Sequence, residues 1–180
     1  MHSDELWQVY AQNGQTLTGY GAVEDDFVAN PQLEMGNAHV WCWKRTPNGI
    51  SILIQKRSLL KKNSPGYYHA SASGHVNVGE SPVEAAVRES KEEINLSLNP
   101  SYLTLVQVVR PRSWQSFNYV YTYELSRDES FTFTDGEVDS VKWVPIDELK
   151  QMANSPEEYH LINQGAAYFE RLFEAIERNV

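Results

Sequence analysis

The stretch "GHVNVGESPVEAAVRESKEEINL", residues 74–96, places five glutamates and one arginine between positions 80 and 93. Glu89, Glu92 and Glu93 fall at i, i+3 and i+4 of what the spacing predicts as one helix. Like charges so placed repel, at about 0.2–0.5 kcal/mol per pair. A solvated helix face accounts for the charge, since acidic runs are common on surfaces. It does not account for three carboxylates gathered on one face. A hard divalent cation does: magnesium takes oxygen ligands from a few carboxylates and keeps positions for water and phosphate. The repulsion then becomes a binding site. Such a site can hold water and the oxygens of a phosphate together.

The helix that carries these acids is marked at both ends. Ser81 is a good N-cap, Pro82 suits the first helical position, and Glu84 completes a capping box. Val83, Ala86, Val87, Ser90 and Ile94 recur at helical steps and form the expected inward face. Glu89, Glu92 and Glu93 are expected on the face away from that stripe. Arg88 lies four residues from both Glu84 and Glu92. Asn95 tolerates the left-handed conformation that ends a helix.

Around this helix the pattern is strands, then strands again, then two helices. "ELWQVYAQNGQTLTGYG" alternates about Asn13-Gly14, a hairpin signal, and "EDDFVANPQLEMGN" reads as a loop. "AHVWCWKR", "GISILIQKR" and "YYHASAS" read as strands before the helix; "YLTLVQVVR", "FNYVYTYEL" and "SVKWVPI" read as strands after it. One helix is expected around "IDELKQMA" and another from about Pro156 to Glu177, with Ile162, Ala166, Phe169, Leu172, Phe173 and Ile176 as its buried stripe. The order implies an α/β layered domain.

Several residues outside the acidic cluster invite chemistry. Cys42 shares a strand face with Val40 and reads as a small buried hydrophobe, while His39, Trp41 and Trp43 share the other face, where they either line a pocket or pack the core. His69 and His75 flank the start of the acidic stretch, without the further ligands that a zinc site needs. Lys56 and Arg57 end a strand and suit either phosphate contact or solvent. Arg110, Arg112 and Trp114 pair cations with an aromatic.

The 180 residues suffice for one domain with a sizeable core. With 24 acidic against 15 basic residues the net charge is −9, which disfavours a nucleic-acid polymer. No apolar run reaches the ~18 residues of a membrane span. The single cysteine and the absence of a signal-like start fit a cytoplasmic location. A homodimer through the hairpin or the last helix is left open.

Residues 74–96 resemble the Nudix box, with Gly74, Glu80, Arg88, Glu89, Glu92, Glu93 and Leu96 in register. Ser90 stands where an aliphatic is usual and Asn95 where glycine is usual. The stretch "NAHVWCW…ILIQKRS…SPGYYHASASGHVNVGE" is similar to the branch that includes isopentenyl diphosphate isomerase, and the likeness covers roughly residues 5–150. The resemblance implies an α/β/α sandwich with a mixed sheet and an N-terminal β-hairpin extension. It implies one domain over 1–180: hairpin and connecting loop at 1–36, the box at 74–96, a C-terminal helix at 156–178.

It further implies a Mg²⁺-dependent hydrolase, with Mn²⁺ as a substitute, that cleaves a small diphosphate-linked substrate by water attack on phosphorus. Glu89, Glu92, Glu93 and the Gly74 carbonyl would ligate the metal. Glu80 and Arg88 would hold those ligands in place. Glu92, Glu93 or Glu137 would act as general base; by their own positions, rather than by the resemblance, His75, Arg57 and Trp41 are the candidates to meet the substrate. Two alternatives stand beside it: a diphosphate-sensing module without catalysis, and an isomerase. The isomerases use a cysteine where this chain has Ser73, and a glutamate pair after the box where "SFNYVYTYEL" offers none at the matching place.

Overall fold

The computed structural model describes residues 5–11, 16–111, 115–126 and 129–179. The expected Asn13-Gly14 turn, Arg112 and Trp114 lie outside them. The long strand β3 (Leu33–Thr46) organises the sheet, because its alternating side chains serve two cores. Ala38, Val40 and Cys42 face one side with Leu53 and Tyr121, and Trp41 and Trp43 face the other with Ile52 and Ile54. Cys42 is fully buried in the first of these.

Among the described residues nine strands form one mixed sheet. β1 (Trp7–Ala11) and β2 (Thr16–Ala22) make the antiparallel N-terminal hairpin, and β1 also pairs with the start of β3. β4 (Gly49–Arg57) pairs with β3, with the short β5 (Tyr68–His69) and with β9 (Val138–Pro145). β6 (Ala72–His75) runs antiparallel to β3, and β8 (Ser116–Glu124) runs parallel to it, with β7 (Thr104–Val109) beyond.

Helices cover both faces. α2 (Pro82–Ile94) packs Ala85, Ala86 and Ile94 on one core; α3 (Ile146–Asn154) and α4 (Ala166–Glu177) pack Leu149, Met152, Phe169, Leu172 and Ile176 on the other. Each large side chain so buried contributes about 1.5–3 kcal/mol. The expected α/β/α layering is present. None of the described helices is long and apolar enough to cross a membrane.

Two segments differ from the sequence reading. The expected loop before β3 holds a short helix, α1 (Glu24–Ala29), and β3 itself starts at Leu33. Phe27 drives this, being buried with Val9 and Ala22. The C-terminal helix begins at Ala166 rather than at Pro156. Leu161 is drawn into the core beside β5, where Tyr68 N–H donates to His160 O at 2.6 Å and Ile162 N–H donates to Tyr68 O at 2.9 Å. Gly165, at φ +87°, then turns the chain into the helix.

Candidate active site

α2 forms where its end signals place it. Ser81 Oγ accepts from Glu84 N–H at 3.3 Å, and Glu84 Oε2 accepts from Ser81 N–H at 2.8 Å. Asn95 takes φ 56°, and Leu96 N–H returns to Ser90 O at 2.9 Å. The Ser90 hydroxyl donates to Ala86 O at 2.8 Å, which lets a serine sit fully buried where an aliphatic is usual.

The face assignment needs correction. Glu89 and Glu93 do not point away from the apolar stripe: they are 8% and 1% exposed, along one side of the buried face with Ala85. Only Glu92 is substantially open, at 37%. A solvated acidic face is thereby excluded. Glu93 Oε2 accepts two hydrogen bonds, from Gln55 Nε2 at 3.0 Å and from Ser73 N–H at 2.7 Å. Burial, and then Glu89, push the Glu93 carboxyl well above its ordinary range. Burial likewise pushes Glu89 up to about 7, against the pull of Arg88.

Arg88 answers the repulsion in this structure. Its Nε and Nη2 grip both oxygens of Glu80 at 2.9 and 3.0 Å, and Nη2 also donates to His75 O at 2.8 Å. Its Nη1 bridges Glu89 at 2.7 Å and Glu92 at 3.0 Å. Burial works against the guanidinium's charge, but the bonds to Glu80 and Glu89 outweigh it and hold its pKa above the ordinary value. Glu80 also accepts from Asn77 N–H at 3.0 Å, so it ties the loop before α2 to the helix.

Gly74 stands in the site for a steric reason. A Cβ there would overlap all three atoms of the Glu89 carboxylate. Its carbonyl, however, does not face the acids. Val76 N–H donates to Gly36 O, which makes that pair a hydrogen-bonded rung; with the β3–β6 register, Gly74 opposite Ala38 is the next such rung. Ser73 and His75 therefore turn their main-chain groups outward. Ser73 N–H meets Glu93 and His75 O meets Arg88, as the alternation requires. The outward carbonyl beside the carboxylates is that of Ser73, not Gly74.

The other expected residues divide. Glu137, on the loop before β9, pairs with Lys61 at 2.5 Å and is near enough to raise both Glu89 and Glu93. Arg57 donates to Asn63 O at 3.2 and 3.1 Å; burial lowers its pKa, opposed by Glu93 and Glu137. His75 is half-buried, stacked on Trp7 with ring centres 3.7 Å apart, and is pulled down to about 4 by burial and by Lys61. Trp41 belongs to the core rather than to a substrate surface: it is fully buried, and its indole N–H donates to Tyr168 Oη at 2.8 Å.

Gln55, Ser73 and Lys61 were not singled out from the sequence as site residues. Gln55 had a signal, a lone amide in the apolar run "SILIQ", and it is fully buried with Oε1 unpartnered. Lys61 had none, because only the fold brings it to Glu137.

The fit of a divalent cation rests on this donor set. Among the described residues no three His, Cys, Asp or Glu side chains converge as a preformed chelate. Yet Glu89 and Glu92 both reach one Arg88 nitrogen, Glu93 is buried beside them, and Gly74 leaves room for the Glu89 carboxylate. Hard oxygens so gathered suit magnesium.

A family model described as the NUDIX domain matches residues 36–164. An uncharacterized Nudix hydrolase of Clostridium acetobutylicum is 30% identical over 124 residues, 65% of this chain and 60% of its own length. An isopentenyl-diphosphate Delta-isomerase of Corynebacterium diphtheriae is 29% identical over 123 residues, 63% of this chain and 66% of its own. This chain thus spans about three fifths of the first of these curated relatives. A crystal structure from Deinococcus radiodurans matches the fold with a TM-score of 0.70 at 20% identity, covering 93% of this chain and 98% of that one.

Proposed function

This chain belongs to the Nudix family, and from that premise we propose that it hydrolyses a diphosphate linkage in a small molecule with the help of Mg²⁺ or Mn²⁺. The observation that carries the reading is the burial of Glu89 and Glu93 beside Glu92. Arg88 bonds Glu89 and Glu92 but not Glu93, whose hydrogen-bond partners are the neutral Gln55 and Ser73 N–H, so its buried carboxylate is costly unless a further cation joins it.

Glu89, Glu92, Glu93 and the Ser73 carbonyl would hold the metal. When bound, it supplies positive charge to phosphate oxygens and acidity to water. Arg88 keeps Glu80 and the His75 carbonyl, and so fixes the helix against the loop that precedes it. Gln55 and Ser73 N–H orient Glu93 through one oxygen, Oε2, leaving Oε1 for a ligand. Lys61 and Arg57 supply cationic charge on the side of Glu137. Glu137 is assigned as the general base that takes the proton of the attacking water; Glu92 is the alternative, being the most open of the box acids. His75, neutral and stacked, presents a hydrogen-bonding edge to the substrate. The acidic surface and single cysteine favour a small-molecule partner in a reducing compartment.

The isomerase reading has relatives by sequence but lacks its groups here. Ser73 replaces the thiol, and the one acid of β8, Glu124, lies at its far end, paired with Arg45.

The test is a panel of diphosphates incubated with Mg²⁺ in ¹⁸O water, with products identified by mass. Cleavage that labels a product phosphate and stops with EDTA is expected; Glu93→Gln should cut turnover by orders of magnitude. Conversion of isopentenyl to dimethylallyl diphosphate, or metal-independent cleavage, would overturn the reading.

A further inference from the structure

Ser73 meets the site through its main chain, and its side chain enters a second network on the opposite face of the sheet. Ser73 Oγ lies 2.8 Å from His69 Nδ1. His69 is buried, set edge-on to His39 with ring centres 4.8 Å apart, and His39 Nδ1 is 3.0 Å from the Tyr168 hydroxyl. Gln164 closes the other end: its Nε2 is 3.2 Å from His69 Nε2.

The amide nitrogen of Gln164 can only donate. With the amide nitrogen of Gln164 placed toward the ring, His69 Nε2 carries the lone pair and the single proton of the neutral ring sits on Nδ1. That N–H donates to Ser73 Oγ. The hydroxyl proton of Ser73 is then given to no acceptor among the described residues, although Ser73 is half-buried and its own carbonyl faces the carboxylates. The same tautomer excludes a nucleophilic serine, because His69 Nδ1, the nitrogen that faces Oγ, already carries its proton and has no lone pair to take another. What remains is a hydroxyl held as a donor.

We propose that Ser73 Oγ–H donates a hydrogen bond to a non-bridging phosphate oxygen of the bound diphosphate, with His69 and Gln164 as positioning residues that hold it in that orientation. This contact rests on the diphosphate reading and adds to it a recognition element outside the acidic helix.

The experiment titrates the full chain by calorimetry with Mg²⁺ alone, and then with methylenediphosphonate in the presence of Mg²⁺. It is run on wild type, Ser73→Ala and Gln164→Leu. A charge-assisted bond lost from a phosphate oxygen should weaken diphosphonate binding about ten-fold in Ser73→Ala. Gln164→Leu should weaken it several-fold, and the affinity for Mg²⁺ alone should stay unchanged in both. Nitrogen-15 NMR should find His69 protonated on Nδ1. Equal diphosphonate affinity in wild type and Ser73→Ala overturns the contact alone, as does a His69 proton on Nε2. Loss of Mg²⁺ uptake in Ser73→Ala would assign the hydroxyl to the fold and also overturn it. A wild type that takes up no diphosphonate overturns the diphosphate reading and this contact together.

Discussion

Replacing Gly74 with alanine isolates the packing on which the acidic site rests. Gly74 is not among the residues at positive φ, so alanine meets no backbone strain there. The cost is steric: the new Cβ would coincide with the Glu89 carboxylate, which is buried and bonded to Arg88 at 2.7 Å. Overpacking of this kind costs about 1–3 kcal/mol, and losing the charged hydrogen bond adds about 1.5–3 kcal/mol. A total of roughly 2.5–6 kcal/mol should lower Tm by about 5–24 °C in a chain of this length.

The assay is urea unfolding of the metal-free protein followed by tryptophan fluorescence. It is run on Gly74→Ala, Glu89→Ala and the double variant. If Glu89 is the obstacle, removing it makes room, and alanine at position 74 then costs under about 1 kcal/mol. The coupling energy should exceed about 1.5 kcal/mol. Gly79→Ala is the control: φ is +80° with no atom within 4 Å of its added Cβ. Its cost of about 1–2 kcal/mol is conformational and indifferent to Glu89. Additivity of Gly74→Ala and Glu89→Ala within about 0.5 kcal/mol would refute the steric account.

Arg88→Lys keeps the charge but loses the fork that grips Glu80 while bridging Glu89 and Glu92; it should cost about 2–4 kcal/mol in urea unfolding without metal, and a loss below 0.5 kcal/mol, on the order of an exposed pair, would count against it. Glu93→Gln removes a carboxylate that burial disfavours in its charged form, so at neutral pH the metal-free variant should unfold at equal or higher urea while its Mg²⁺ uptake, read by calorimetry, falls. Acid should act through the buried histidines. His39 and His75 are pulled down to about 4, and His69 well below its usual value, mainly by burial. The unfolded chain accepts those protons near pH 6.5 and the folded one does not, so this stability is whole above that pH and is lost as pH falls toward 4. His39 alone accounts for roughly 3 kcal/mol at the acid end. Glu89 and Glu93 act in the opposite sense, so the readout is the stability difference between wild type and His39→Gln, which should shrink from pH 7 to pH 4.5; a constant difference would refute it.

The amino-acid sequence by itself determined the local elements of the site. Ser81, Pro82, Glu84 and Asn95 set the ends of α2 through groups within one turn of each other, and strand alternation correctly separated Cys42 from Trp41. The glutamate spacing and Arg88 were legible because helical geometry fixes neighbours three and four residues apart. Which side of that helix was buried was not legible, since Glu93 lies inside only because Gln55 and Ser73, distant in sequence, offer it donors. The outward carbonyl of Ser73 was decided by the rung pattern between β6 and β3, a register that no local signal encodes. The start of α4 was decided the same way, by the pull of Leu161 into a core built from other segments. Short-range preferences are written into neighbouring residues; burial, tautomer and register depend on partners that the chain meets only once folded.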